Sequence, residues 1–286
     1  MKGKLYICPT PIGNLEDITY RTIRILKEVD LIACEDTRRT GRLLKHFEID
    51  NDLISYHEHN EKMRTEEIIG KLKMNQDIAL VSDAGMPGLS DPGEILIKAV
   101  VNEGVEVIPL PGPSAAIPAL VASGFATDRF VFEGFLPRKG QERKDRLASI
   151  KLDERTTIIY ESPYRTQDTI ADLAEIMADR EIALIREISK IHEEKIYGTA
   201  AEIKDEIGNR EIKGEIVIVI SGNQSLSEEE NLTDLSILEH LELLIENGYT
   251  KKKAIKEVSK IRGLPKSEVY KEAIAIDARP EFRDGN

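Results

Sequence analysis

The sequence predicts an α/β protein: an N-terminal parallel sheet with flanking helices, a C-terminal mixed sheet, and a small helical module at the end. Three observations carry this. Short apolar runs alternate with helix-period segments over residues 1–122, the order that builds right-handed crossover units. Several of the runs, LIAC and IALV among them, are unbroken rather than alternating, as expected of parallel strands covered on both faces. Beyond residue 235 the runs stop, and three apolar stripes of helical period follow.

In chain order, KLYICPTP reads as a strand and TYRTIRILKEV as a helix. The strand DLIACED, a helix around TGRLLKHF and a short apolar run at DLISYH come next. The helix EEIIGKLK leads to the strand DIALVSDAG, then to GEILIKAVVNEG and the strand EVIPL. Residues 123–222 form a second α/β segment. It holds the strands RFVFEGF, TTIIYES, EIALIREI, EEKIYGTA and GEIVIVIS, a polar basic stretch after the first, and a helix near TQDTIADLAEIM. Residues 223–235 are polar and read as a linker. In residues 236–278 the stripes are Ile237, Leu238, Leu241, Leu244 and Ile245; Ala254, Ile255, Val258 and Ile261; and Val269, Tyr270, Ala273, Ile274 and Ile276. Residues 279–286 read as a tail.

The chain is 41% apolar and 32% charged, within the globular range. Cys8 and Cys34, its two cysteines, lie in apolar runs and read as buried free thiols. No run approaches the ~20 apolar residues that span a bilayer, so no membrane is expected and the expected location is the cytoplasm. The net charge of −12 argues against nonspecific nucleic-acid binding. Three basic clusters run against that total: Arg38, Arg39, Arg42 and Lys45; Arg138, Lys139, Arg143, Lys144 and Arg146; and Lys251, Lys252, Lys253, Lys256, Lys260, Arg262 and Lys266, the last relieved only by Glu257. Each taken alone reads first as a solvated helix face.

Ligands of open parallel sheets bind beyond the carboxyl ends of the strands. Three loops rich in glycine and proline stand there: CPTPIGNLEDIT, AGMPGLSDPGE and PGPSAAIPAL. Glycine lets backbone approach a ligand and proline fixes its path; tight turns alone are the plain alternative. Asp91-Pro92 resembles a helix N-terminal cap. Neither GxGxxG after the first strand nor GxxxxGK[ST] is present, which argues against a nicotinamide or P-loop enzyme. The five histidines lack metal-ligand spacing, so no metal is expected, and no GxSxG elbow supports hydrolysis. Carboxylates and arginines at strand ends, namely Glu35, Asp36, Arg38, Glu161, Arg186 and Glu187, suit orienting or deprotonating a hydroxyl or fixing an arginine on phosphate. They equally suit pairing with one another.

The chain resembles the ribosomal RNA small subunit methyltransferase I family, a branch of the tetrapyrrole methylase-like fold. The motifs are PTPIGNLEDIT (9–19), EDTRRTGRLL (35–44), SDAGMPGLSDPG (82–93), PGPSA (111–115), FEGFLPRKG (132–140), ESPYR (161–165), REISKIHEE (186–194) and KGEIVIVI (213–220). Met86, Tyr164 and Ser189 stand where members commonly carry threonine, histidine and threonine. The resemblance implies a two-domain, homodimeric enzyme with S-adenosyl-L-methionine folded in the interdomain cleft. It implies methylation of a cytidine ribose 2′-hydroxyl in the decoding region of 16S ribosomal RNA, with the assembled small ribosomal subunit as expected partner. On this basis Asp83, Ala84, Gly85, Pro87, Ser114, Ala115, Tyr160, Glu161, Gly214 and Glu215 are expected to bind cofactor. Asp36, with Glu35 and Arg38, is expected at the reaction centre. Asn14, Arg138, Lys139, Arg165, Arg186, Glu187, Lys251, Lys252, Lys253 and Lys256 are expected to meet substrate. A tetrapyrrole-precursor methyltransferase and a noncatalytic ribosome-assembly factor are the alternatives.

Overall fold

A computed structural model of the chain describes residues 2–208, 210–223, 235–246 and 249–277. The chain divides into two compact units, Met1–Lys151 with Arg155–Ser221, and Leu152–Glu154 with Gly222–Asn286. The first unit carries both sheets. Most of the expected linker (223–235) and all of the expected tail (279–286) lie outside the described residues.

The first sheet is built from β1 (Leu5–Ile7), β2 (Leu31–Cys34), β3 (Leu53–Ser55), β4 (Ile78–Val81) and β5 (Val107–Pro109), in the order β3-β2-β4-β1-β5. Every pairing is parallel. Alternate residues of the unbroken runs go to opposite faces, and both faces are covered. Ile78 and Leu80 pack with Ile68 and Leu72 of α3 (Glu61–Lys73) and Leu96 and Val100 of α4 (Glu94–Asn102). Ala79 and Val81 pack with Ile25 and Leu26 of α1 (Tyr20–Glu28) and Leu44 of α2 (Thr37–His46). Both cysteines are free and buried in that second layer.

The second sheet contains β6 (Phe130–Phe135), β7 (Thr156–Glu161), β8 (Glu181–Arg186), β9 (Glu194–Thr199) and β10 (Ile216–Ile220), in the order β6-β7-β10-β8-β9. β6 and β7 are parallel and the other pairs antiparallel, so the sheet is mixed. Its central strand, IVIVI, is buried at every position. Ala116, Ala119 and Leu120 of α5 (Ala116–Ser123) cover one face. The other lies under α6 (Gln141–Leu152), α7 (Thr166–Ile176) and α8 (Ala200–Ile207).

Three helices were not expected from periodicity. α5 begins inside a loop motif and tolerates Pro118 because the first-turn amides have no helical partner anyway. α6 hides in the polar basic stretch, with Arg143 replacing an apolar residue on its buried stripe beside Leu147 and Ile150. α8 is announced only by its capping box, Thr199 with Glu202.

The second unit contains α9 (Ile237–Glu246), α10 (Lys251–Ile261) and α11 (Lys266–Asp277). Leu241, Ala254, Val258, Val269 and Ala273 form its core. Arg262 donates to buried His240 Nδ1 at 3.2 Å. Lys253 sits 4.3 Å above the Tyr249 ring, a cation–π contact.

Candidate active site

β1 and β4 are neighbours at the point where the chain, having run outward through β2 and β3, returns and crosses to β5. The loops leaving β1 and β4 therefore meet, as the switch-point rule requires. Thr10 and Gly85 exchange backbone hydrogen bonds of 3.0 and 2.9 Å. Gly85 has φ of +83° and Ile12 stands 3.4 Å from where its Cβ would be. The Thr10 hydroxyl donates to the Ser82 carbonyl at 3.0 Å. Asp83 ties in α2: its Oδ1 accepts the Asp36 amide at 3.2 Å and its Oδ2 pairs with Arg39 at 3.0 Å.

Between these loops and the second sheet lies a cavity of about 440 Å³, within the range of small-molecule sites. Its first wall is Asp83–Met86 with Leu89, Ser90 and Asp91, plus Glu35 and Arg39 from the β2–α2 junction. Ser114 and Ala115 follow β5, and Tyr160–Pro163, Phe135 and Gly214–Val217 close the far side. The Tyr160 ring packs edge-on against Phe132 and Phe135, with centroids 5.0 and 5.9 Å away. Gly214 has φ of +91°, and a Cβ there would fall 2.4 Å from the Glu187 carboxyl group. Glu187 Oε1 accepts the Glu215 amide at 2.9 Å and Lys190 Nζ at 2.7 Å, and Lys190 also reaches Glu215 at 3.2 Å. Only glycine fits this wall.

Five carboxylates line the cavity, Glu35, Asp83, Asp91, Glu161 and Glu215, against one guanidinium, Arg39. Glu161 is fully buried; it accepts the Thr169 hydroxyl at 2.7 Å and stands 3.4 Å from Arg165. Burial, reinforced by the negative charge of Asp83, raises the Glu35 carboxyl. Asp91 is pushed up to about 6, first by burial and then by Glu35, with the Ser82 hydroxyl partly offsetting the shift. Asp83, Glu161 and Glu215 are ion-paired with Arg39, Arg165 and Lys190, so the acidity of this partly desolvated chamber comes from Glu35 and Asp91, which have no ion-pair partner among the described residues. The chamber suits an organic cation and disfavours phosphate.

Residues 4–204 match the family model of the tetrapyrrole (corrin/porphyrin) methylases. The chain is 46% identical over 271 residues to the ribosomal RNA small subunit methyltransferase I of Halalkalibacterium halodurans, covering 94% of each chain. To the protein of that name from Bacillus subtilis it is 47% identical, covering 94% of this chain and 93% of the relative. This chain belongs to the ribosomal RNA small subunit methyltransferase I family, within the tetrapyrrole methylases. A uroporphyrin III C-methyltransferase from Thermus thermophilus shares the fold at TM-score 0.55 and 15% identity, over 77% of this chain and 97% of that one. A diphthine synthase does so at TM-score 0.58 and 13% identity, over 77% and 90%.

In this family member the cavity gathers Asp83, Ala84, Gly85, Ser114, Ala115, Tyr160, Glu161, Gly214, Glu215 and Glu35. Pro87 is buried and outside the lining. Asp36 and Arg38 are also outside it. Asp36 caps α2, accepting the Arg38 amide at 2.8 Å, and its carboxylate is held by the Arg38 side chain, at 2.8 Å on the closer oxygen. That pairing holds the Asp36 carboxyl well below the usual range, which makes it a poor proton acceptor. Asn14 caps the 3-10 turn Leu15–Asp17. Arg186 is engaged by Glu194 at 2.8 Å and by the carbonyls of Lys213 and His192, both at 3.2 Å. Glu187 supports the Gly214 wall from behind. Arg138, Lys139 and Arg165 line a separate groove. Lys251, Lys252, Lys253 and Lys256 belong to α10 of the second unit.

Asp91 is the residue that sequence reasoning misplaced. It does not cap α4, whose N-cap is Gly93; it lines the cavity instead. Ser90 before it has φ of +63°, a conformation rare outside glycine and enriched at functional sites. The run of SDPG turn residues was the available signal, but it reads as capping until β4 and the second sheet are placed around it.

Proposed function

We propose that this chain transfers the methyl group of S-adenosyl-L-methionine to the 2′-hydroxyl of a cytidine ribose in the decoding region of 16S ribosomal RNA, acting on the assembled small subunit. The observation that carries the cofactor half is the acidity of the cavity: Glu35 and Asp91, without ion-pair partners among the described residues, face about 440 Å³ in which the other three carboxylates are each matched by one cation. When bound, S-adenosylmethionine supplies an electrophilic methyl group on a cationic sulfonium, and a carboxylate-rich chamber favours that cation electrostatically. Asp83, Ala84, Gly85, Ser114 and Ala115 would hold the cofactor through two loop backbones. Tyr160 would hold it from β7, with Glu161 fixing that strand end from behind, and Gly214 and Glu215 would hold it from the loop before β10. The substrate half rests on relatives that bear the methyltransferase name over 94% of this chain.

Asp91 is the residue we assign to take the hydroxyl proton. A carboxyl near 6 is mostly ionised at neutral pH, yet more basic than an ordinary aspartate. Glu35, also raised, faces the same space and keeps Asp91 basic by repulsion. Glu161 is committed to Thr169 and Arg165, so its part is to position the β7 end. A cytoplasmic homodimer completes the proposal. Among the described residues no helix is long and apolar enough to cross a membrane.

The test is transfer of labelled methyl from S-adenosylmethionine to small subunits lacking their modifications, followed by nucleotide mapping. Label on a single cytidine ribose is the expected result. Cofactor binding without label on subunits would overturn the RNA assignment and redirect the search to tetrapyrrole precursors. Absence of cofactor binding would leave the assembly-factor reading.

A further inference from the structure

The acidic cavity leaves the RNA backbone without a partner, and a second concavity answers that need. Between α6 and α7 lies a groove of about 1000 Å³. Six cations line it (Arg138, Lys139, Arg143, Lys144, Lys151 and Arg165) against three carboxylates, on a chain of net charge −12. The carboxylates, Asp168, Asp172 and Glu175, stand on the α7 side, and Asp172 is already paired with Arg143 at 2.7 Å. Arg138, Lys139 and Lys144 are exposed on the opposite rim. Among the described residues none of these three has an ion-pair partner.

The groove shares a wall with the cavity. Phe135 lines the cavity and Arg138 the groove, three residues on, a path of at most about 11 Å along the chain. Glu161–Pro163 line the cavity, while Arg165 and Thr169 line the groove. A buried polar chain stiffens this partition. Arg143 donates to Asp172 at 2.8 Å, to the Pro137 carbonyl at 3.0 Å and to Thr169 at 3.0 Å; Thr169 donates to Glu161 at 2.7 Å. Arg165 donates to the Leu136 carbonyl at 2.7 Å. The loop bearing Arg138 and Lys139 is therefore fastened to the same residues that form the cavity edge.

We infer that this groove is a phosphate-binding subsite for single-stranded RNA, in which Arg138, Lys139 and Lys144 hold the backbone phosphate of a nucleotide flanking the one whose ribose reaches the cavity. The inference rests on the RNA reading proposed above and adds to it the location of the flanking strand. Arg143 does not contact phosphate; it is a positioning residue that keeps the rim in register with the cavity. Two unpaired cations on adjacent residues and a third on α6 match a backbone contact, which needs charge rather than base-edge geometry.

The experiment uses the full chain and a fluorescein-labelled 12-nucleotide single-stranded RNA, with anisotropy measured across a salt series. The variant Arg138→Ala/Lys139→Ala/Lys144→Ala alters exposed side chains only. Its affinity at low salt is expected to fall at least tenfold. The slope of log K against log salt should become shallower by about 2, three contacts at roughly 0.7 each. Its affinity for S-adenosylhomocysteine should match the parent. A variant with parental RNA affinity and slope overturns the inference, as does a parent chain that binds no RNA at low salt. A parent that binds RNA through this rim yet labels no subunits would refute the proposed reaction while leaving the subsite standing. Arg143→Lys should raise KM for subunits without changing the salt slope; a changed slope would mean that Arg143 itself meets phosphate.

Discussion

Replacing Asp91 by asparagine tests the cavity chemistry most directly, because it should move stability and activity in opposite directions. The carboxyl is raised from 3.8 to about 6 by burial and by Glu35. Since the folded-state value exceeds the unfolded one, the folded chain holds an extra proton between about pH 4 and 6. Stability is therefore full below that window and is lost as pH rises through it. At 1.36 kcal/mol per pH unit the loss has a ceiling of about 3 kcal/mol. Residual solvent around a part-buried group reduces this to about 1–2 kcal/mol. Asp91→Asn, an isosteric neutral side chain, should recover that amount at pH 7.5 and only about a third of it at pH 4.5. The melting temperature of the cofactor-free protein should rise by roughly 2–8 °C at the higher pH. Methyl transfer should fall by about 10²–10⁴, the usual range for a lost general base. The limb of kcat/KM that rises through about pH 6 in the parent should disappear. A variant with reduced Tm at pH 7.5, or one retaining both rate and pH limb, would refute the assignment.

Three further outcomes follow from the structure. Gly214→Ala places a methyl 2.4 Å from the Glu187 carboxyl at a φ of +91°; it should weaken S-adenosylhomocysteine binding at least tenfold by calorimetry and cost about 1–3 kcal/mol. Gly124→Ala, at a φ of +76° with nothing within 4 Å, should lower stability slightly and leave binding unchanged. The Cys8 and Cys34 thiols, pushed by burial to about 12 and about 11, should resist a disulfide reagent at pH 8 in the native state and react promptly in denaturant.

The sheets were legible in the sequence because burial on both faces leaves a mark on every residue of a strand: LIAC, IALV and IVIVI admit little else. The ligand-bearing loops were legible for the related reason that glycine and proline are selected by backbone geometry, as Gly85 shows. Helices written in polar letters were not. α6 buries Arg143 on the stripe where an apolar side chain would have announced it, since the guanidinium there satisfies Asp172, Thr169 and a carbonyl. Charged residues at strand ends were visible as a group but not sortable. Asp36 and Asp91 each precede a helix; one caps it and is locked to an arginine, the other faces a cavity. That distinction depends on contacts with residues far away in sequence, Asp83 at the Asp36 amide and Glu35 beside Asp91.

The opposed charges of cavity and groove explain how an acidic protein could act on a polyanion. A strongly basic surface would bind RNA anywhere along its length, by counterion release that carries no sequence information. Here a chain of net charge −12 repels RNA overall, and the cavity adds two acids without ion-pair partners among the described residues, Glu35 and Asp91. Only a strand whose phosphates meet the Arg138–Lys144 rim, while a ribose enters beside Asp91, would satisfy both fields at once. The carboxylates that favour the cation also raise Asp91, so one arrangement of charge serves cofactor binding and proton acceptance together. Cofactor affinity should then strengthen as pH rises through about 6, because ionised Asp91 adds to the attraction. Neutral S-adenosylhomocysteine should show a much smaller change over the same range. Equal pH dependence for the two ligands would mean that the cavity charge is not felt at the sulfur, and the electrostatic account of this site would fail.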